Sequence, residues 1–198
     1  MKTRMRFTKT GSVKFIGHLD CMRFFQKAIR RAKLDVAYSK GYSPHQLMSF
    51  ASPLGVGVTS DGEYIDVEFN SLPEDKTLEE LVQYLNDFMT DEIFVTGIEI
   101  MPDGFKNSMS LLRTSDYMIV EKKQGILPAS YKEAWMSFME QPEIFVTKKS
   151  KKTEREINIK ENILLSAFSL EELSEKTGEK YESLHCQYQG NSLFMQLT

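Results

Sequence analysis

The chain has 198 residues, with 25 Lys and Arg against 28 Asp and Glu, a formal net charge of −3, 41% apolar residues and 27% charged ones. That is globular composition at a length that suits one large domain or two small ones, which excludes a disordered tail. No stretch approaches the ~18 apolar residues of a membrane span. Residues 1–7 lack the apolar centre of a signal peptide, so no membrane is expected as a partner and a cytoplasmic location is.

Residues 3–8 alternate, with Met5 and Phe7 on one side and Arg4 and Arg6, with Lys2, on the other, which predicts a strand. Gly11 breaks it. Residues 19–34 predict a helix, because Met22, Phe25, Ile29 and Ala32 fall on one stripe. Arg23, Lys27, Arg30 and Arg31 share a different face of it. A short extended piece at 36–39 leads into a loop at 40–46, then a strand at 47–52 and a second loop at 53–57. Residues 63–69 predict a strand, with Ile65, Val67 and Phe69 opposite Tyr64, Asp66 and Glu68. A helix follows at 77–90 behind the capping-box pair Thr77 and Glu80, and a strand at 93–101. This is the β-α-β-β-α-β order of a ferredoxin-like, split βαβ domain.

The second half partly repeats it: a strand at 116–122, a helix at 129–140, strands at 144–148 and 155–160, and a short helix at 170–176. A hairpin of 184–188 and 193–197 closes the chain. The expected fold class is α+β, two ferredoxin-like domains in tandem. They span 1–101 and 116–198, joined by a linker at 102–115, and the second is the less regular.

Charge is unevenly spread. Residues 1–60 hold eleven basic side chains (Lys2, Arg4, Arg6, Lys9, Lys14, Arg23, Lys27, Arg30, Arg31, Lys33 and Lys40) against Asp20 and Asp35, a local sum of +9. Residues 61–198 hold 14 basic and 26 acidic side chains, a sum of −12. Such asymmetry points to an anionic partner for the N-terminal third. A second basic run, Lys148, Lys149, Lys151 and Lys152, sits within the acidic part. Either cluster can also be a plain solvated face.

Cys21 and Cys186 stand 165 positions apart, which excludes a disulfide framework and any CxxC motif. A three-cysteine iron–sulfur cradle is excluded too. Three histidines leave little material for a metal site, so neither metal nor other cofactor is expected. In Gly17-His18-Leu19-Asp20-Cys21 an imidazole, a carboxylate and a thiol open the first helix. Two readings stand: His18 and Asp20 cap the helix while Cys21 packs beneath it, or the group binds a ligand or reacts. Tyr38-Ser39-Lys40-Gly41-Tyr42-Ser43-Pro44-His45 places aromatics, hydroxyls, a cation and an imidazole in one loop. That chemistry suits stacking on exposed bases, or else the tyrosines pack around a rigid turn. On the open face of the first sheet, Lys2, Arg4 and Arg6 would meet Tyr64, Asp66 and Glu68. Cross-strand ion pairs would then absorb part of the positive field.

The runs at 6–11, 15–20, 37–45, 49–51, 53–54 and 62–66 together resemble a bacterial family of uncharacterised domains found fused to, or encoded beside, radical S-adenosylmethionine proteins. The likeness is dense over 4–69 and diffuse beyond, where 148–159 is similar to a basic stretch of the family. Gly17 stands where many members have Ser, so no role for that hydroxyl carries over. The resemblance implies a radical-SAM protein as partner and a further segment beyond the C-terminus. The expected function is a non-catalytic accessory domain that binds a substrate, RNA, for that partner. His18, Asp20, Tyr38, Ser39, Lys40, Tyr42, His45 and Tyr64 would form its binding site. Two alternatives stand beside it. One is a metal-free RNA-processing enzyme with His18 or His45 as acid or base, by fold analogy with CRISPR repeat-processing endoribonucleases. The other is a protein-interaction module docking through Arg23, Lys27, Arg30 and Arg31.

Overall fold

Alternation makes the first strand what it is: in β1 (Lys2–Lys9), Met5 and Phe7 are buried while Lys2 and Arg6 face solvent. The computed structural model describes residues 1–123, 125–150, 153–181 and 190–198. It divides into two units, Met1–Leu112 and Arg113–Thr198. The first runs β1, a 3₁₀ turn (Gly11–Phe15), α1 (His18–Arg31), β2 (Met48–Phe50), β3 (Ser60–Glu68), α2 (Leu78–Asn86), β4 (Val95–Ile100) and a short α3 (Ser108–Leu111). Its sheet has the order β2-β3-β1-β4 with every pairing antiparallel.

Both helices cover the sheet face that carries Met5, Phe7, Ile65 and Val67. Phe25 of α1 meets Phe7 edge-on with centroids 4.8 Å apart, and Phe50 of β2 at 5.8 Å. The helix starts at Gly17, which offers no side-chain cap. It ends where Lys33 turns to φ +52° and the Lys33 and Leu34 N–H groups donate back to Arg30 and Ile29. Thr77 and Glu80 form the expected capping box at the start of α2. At its other end the Asn86 amide pairs with both the N–H and the carbonyl of Val95, each at 2.8 Å, and clips α2 to β4.

Residues 102–112 are more than a connection. They belong to the first unit, and the N–H of Ser108 donates to Asp66 at 2.6 Å. This strap lies over the sheet face away from the helices, where Arg4 and Asp66 stand.

The second unit contains β5 (Ser115–Val120), α4 (Tyr131–Met139), β6 (Phe145–Lys149), β7 (Glu154–Asn158), β8 (Ile163–Ala167), α5 (Leu170–Thr177) and β9 (Ser192–Leu197). Its described strands form a three-stranded antiparallel sheet, β5-β9-β8, and a separate hairpin, β6-β7. The fold class is thus α+β with antiparallel sheets throughout. The described part of the second unit does not show the strand order of the first. Strand β8, which the sequence reading lacks, pairs with β9, and among the described residues β6 and β7 pair only with each other. The expected strand at 184–188 lies outside the described residues. The core here is Ala167, Leu173 and Phe194, with Met118, Leu165, Leu170 and Tyr181 against them. Among the described residues, no helix is long and apolar enough to cross a membrane.

Candidate functional site

The tyrosine loop is built by its own closure. The N–H of Ser39 donates to the carbonyl of His45 at 2.8 Å, and the Ser39 hydroxyl meets His45 Nδ1 at 2.8 Å and accepts the His45 N–H at 3.1 Å. Residues 40–44 form the tip, where Gly41 adopts φ +122°, a conformation that side-chain-bearing residues rarely take. Lys40, Tyr42 and His45 are exposed there, Tyr42 completely, and Tyr38 is about half exposed (47%). Buried Gln46 fixes the loop to α1: its Nε2 donates to the carbonyl of Gln26 at 3.3 Å and to the Tyr38 hydroxyl at 3.4 Å.

Gln26 stands between Arg23 and Arg30 by helical spacing, so the loop is anchored beside the basic face of α1. Arg23 pairs with Asp20 at 2.9 Å on an exposed surface, where such a pair holds little energy. Lys27 and Arg30 are exposed. Arg31 instead donates to the carbonyl of Phe88, tying α1 to the end of α2.

The other cations of the basic third are placed differently. Lys2, Arg4 and Arg6 lie opposite Glu68, Asp66 and Tyr64 in the β1–β3 register. Arg4 grips Asp66 with two bonds, Nε to Oδ1 at 2.8 Å and Nη2 to Oδ2 at 3.1 Å, and its guanidinium stands 5.2 Å from the centroid of Phe105 in the strap. Burial alone would push the Asp66 carboxyl up, but the hydrogen bonds from Arg4 and Ser108 and the Arg4 charge outweigh it and hold the carboxyl below its ordinary range. Arg4 is therefore a structural cation rather than a free contact, and the strap covers that part of the open sheet face. Arg6 remains exposed, beside Gly62 and Tyr64. Lys14 lies 5.2 Å from the ring centroid of Phe15.

Lys9 corrects a sequence expectation. It is only 2% exposed, and its ammonium donates to the carbonyl of Ile16 at 3.0 Å, so it is not a surface contact. It helps to line a small cleft with Phe7, His18, Cys21, Phe50, Pro53, Leu54 and Glu63, whose enclosed space takes about one water molecule. His18 stands edge-on to Phe50 at 5.0 Å. Burial pushes the Cys21 thiol up to about 11, opposed by Lys9, and pushes the Glu63 carboxyl upward as well, opposed by the Ser60 hydroxyl and Lys9. A thiol so shifted is a packed side chain at neutral pH, not a nucleophile.

Helix α1 is capped by the Gly17 backbone rather than by His18 or Asp20, and Asp20 turns outward to Arg23. Two groups emerge where the sequence suggests one. His18 belongs to the cleft with Lys9, Cys21 and Glu63. His45 belongs to the loop with Tyr38, Ser39, Lys40 and Tyr42. No hydrogen bond or ring contact joins the two histidines among the described residues. Glu63 was the missed residue, although a signal for it existed. It shares parity with Ile65 and Val67, as Lys9 does with Phe7, so alternation already aims both at the core face.

Lys148 and Lys149 lie on β6, and Lys149 pairs with Glu154 of β7 at 3.0 Å. Lys151 and Lys152 fall outside the described residues. Among the described residues no three His, Cys, Asp or Glu side chains converge as metal ligands.

The first unit is thus a four-stranded antiparallel sheet packed under two helices, with a basic helix face, an anchored aromatic loop and a small cleft. Residues 2–191 match a family described as an uncharacterised protein conserved in bacteria, DUF2344, and the chain belongs to that family. No curated protein matches the chain.

Proposed function

We propose that this chain is a non-catalytic binding module whose first unit, read as a ferredoxin-like domain, holds single-stranded RNA for a radical-SAM enzyme. One observation supports the RNA reading: Gln46 ties the loop that carries the exposed Tyr38 and Tyr42 to Gln26 of α1, the helix whose Lys27 and Arg30 are exposed. Lys27 and Arg30 would meet phosphates, and Arg23 would do so by exchanging Asp20 for one. Tyr42 would stack on an unpaired base. The enzyme partner rests on the family resemblance alone. The same basic face also suits an acidic patch on that partner, so protein docking is the rival outcome of the test.

Fluorescence anisotropy of a labelled single-stranded RNA with the full chain tests the reading. Affinity should fall steeply as salt rises. Tyr42→Ala should weaken binding about tenfold, since one base stack contributes about 1–3 kcal/mol. Absence of salt-sensitive binding, or a Tyr42→Ala variant that binds like the parent, would overturn it.

A further inference from the structure

The helix layer of the first unit is divided by charge. Residues 18–33 hold five cations against Asp20, and residues 74–92 hold seven carboxylates against Lys76. On α1, Arg23, Lys27 and Arg30 stand opposite the buried stripe, and Glu79 and Glu80 of α2, with Asp87 at its end, stand off the stripe of Leu81 and Leu85. All six charged side chains are exposed. The two helices lie beside each other over the sheet. Arg31 donates to the carbonyl of Phe88, and the Tyr84 hydroxyl donates to the carbonyl of Ala32 at 3.0 Å. Among the described residues no ion pair joins α1 to α2, so the two charged faces are left open. Half-buried aromatics lie where the helices meet. Phe24 shares the α2-facing side of α1 with Arg31, two turns on, and Tyr84 and Phe88 pair edge-on at 5.3 Å.

A face divided in this way is complementary to itself. In a two-fold pair the same patch serves both copies, so whatever α1 meets, it meets twice. Setting α1 on α1 brings cation against cation. Setting α1 on α2 brings Arg23, Lys27 and Arg30 against Glu79, Glu80 and Asp87 in both halves of the interface. We infer that a second copy of this chain docks on the helix layer, with α1 of each copy facing α2 of the other. Exposed ion pairs hold little energy one by one, so the charges fix the orientation while Phe24, Tyr84 and Phe88 supply apolar area to bury. The inference goes beyond the RNA reading and does not need it. Lys27 and Arg30 are also the proposed phosphate contacts, so RNA and the second copy exclude each other on α1.

Sedimentation velocity of the full chain, freed of nucleic acid and held at low salt, tests it. The parent should be a dimer whose dissociation constant rises about tenfold as salt screens the charged faces. Lys27→Glu with Arg30→Glu reverses the α1 face, and Glu79→Lys with Asp87→Lys reverses the α2 face. Like charges then meet in either variant, and each alone should be a monomer. Mixed in equal amounts, the two variants should form a mixed dimer, because reversed α1 faces reversed α2 and the unreversed pair is kept. If the α2 variant loses its dispersed amide spectrum, Asp87→Lys alone takes its place, since a cation at a helix C-terminus is favourable. A parent that is monomeric at low salt overturns the inference. So does a dimer that survives either reversal, or a mixture of the two variants that stays monomeric.

Discussion

The two units differ in how completely they close. In the first, two helices and four strands bury Met5, Phe7, Phe25, Ile65 and Leu85 almost completely. In the second, the described core is Ala167, Leu173 and Phe194, while Tyr117, Ile119, Met136, Phe145 and Leu164 remain exposed. The difference is one of layering. In the first unit a sheet face covered by two amphipathic helices buries a continuous apolar layer, whereas among the described residues of the second α5 brings Leu170 and Leu173 to a three-residue core and the β6–β7 hairpin carries Phe145 and Val146 exposed. Cations follow the same division. Lys27 and Arg30 project from a helix held by a deep core, while Lys148 and Lys149 ride on a hairpin with exposed flanks.

The largest expected effect is in the deep core. Phe25→Ala should cost the first unit roughly 3–5 kcal/mol, read as a lowered urea midpoint in the full chain. A second-unit transition that moved equally would break the distinction between the units. Next is the Arg4–Asp66 pair, whose side chains are 15% and 18% exposed. Asp66→Ala leaves Arg4 without its partner and frees the strap, for a loss of about 3 kcal/mol. The pH dependence has a fixed sign. The Asp66 carboxyl sits lower folded than unfolded, so its stabilisation is complete above the unfolded value near ~3.9 and is lost as pH falls through the folded one. The Asp66→Ala chain should therefore lose less stability than the parent on acidification below about pH 4. An identical acid profile in parent and variant would contradict this.

A smaller pair of substitutions sharpens the comparison. Thr77 caps α2 by accepting from the N–H of Glu80 at 3.2 Å, and Ser169 caps α5 by accepting from Glu172 at 3.2 Å. Replacing either with Ala should cost about 1 kcal/mol. The loss is similar, but it should open the less buried second unit more, seen as faster hydrogen exchange across α5 than across α2. Equal acceleration would argue that the two cores are equally strong.

The first unit was legible because period and burial agree in it. The stripe of Met22, Phe25, Ile29 and Ala32, the alternation around Ile65 and the Thr77–Glu80 box each report a local choice that the tertiary fold keeps. What stayed hidden was non-local. The 102–112 segment reads as a linker because nothing in its composition announces that Ser108 will meet Asp66, 42 positions earlier. Strand β8, Ile-Leu-Leu-Ser-Ala, has no alternation to distinguish it. At the site, the loop could be picked out by its chemistry, but its anchor on Gln26 could not. A lysine suggests solvent, yet the position of Lys9 two residues after Phe7 on the strand aims it inward.

RNA is proposed to meet the basic face of the first unit, on α1. The most direct measurement is the slope of log affinity against log salt for single-stranded RNA, compared across the parent, Lys27→Glu with Arg30→Glu, and Lys148→Glu with Lys149→Glu. The first double variant should bind at least tenfold more weakly with a shallower slope, because each lost phosphate contact removes part of the counterion release. The second should match the parent. Equal losses in the two variants, or a larger loss from the hairpin, would contradict the account.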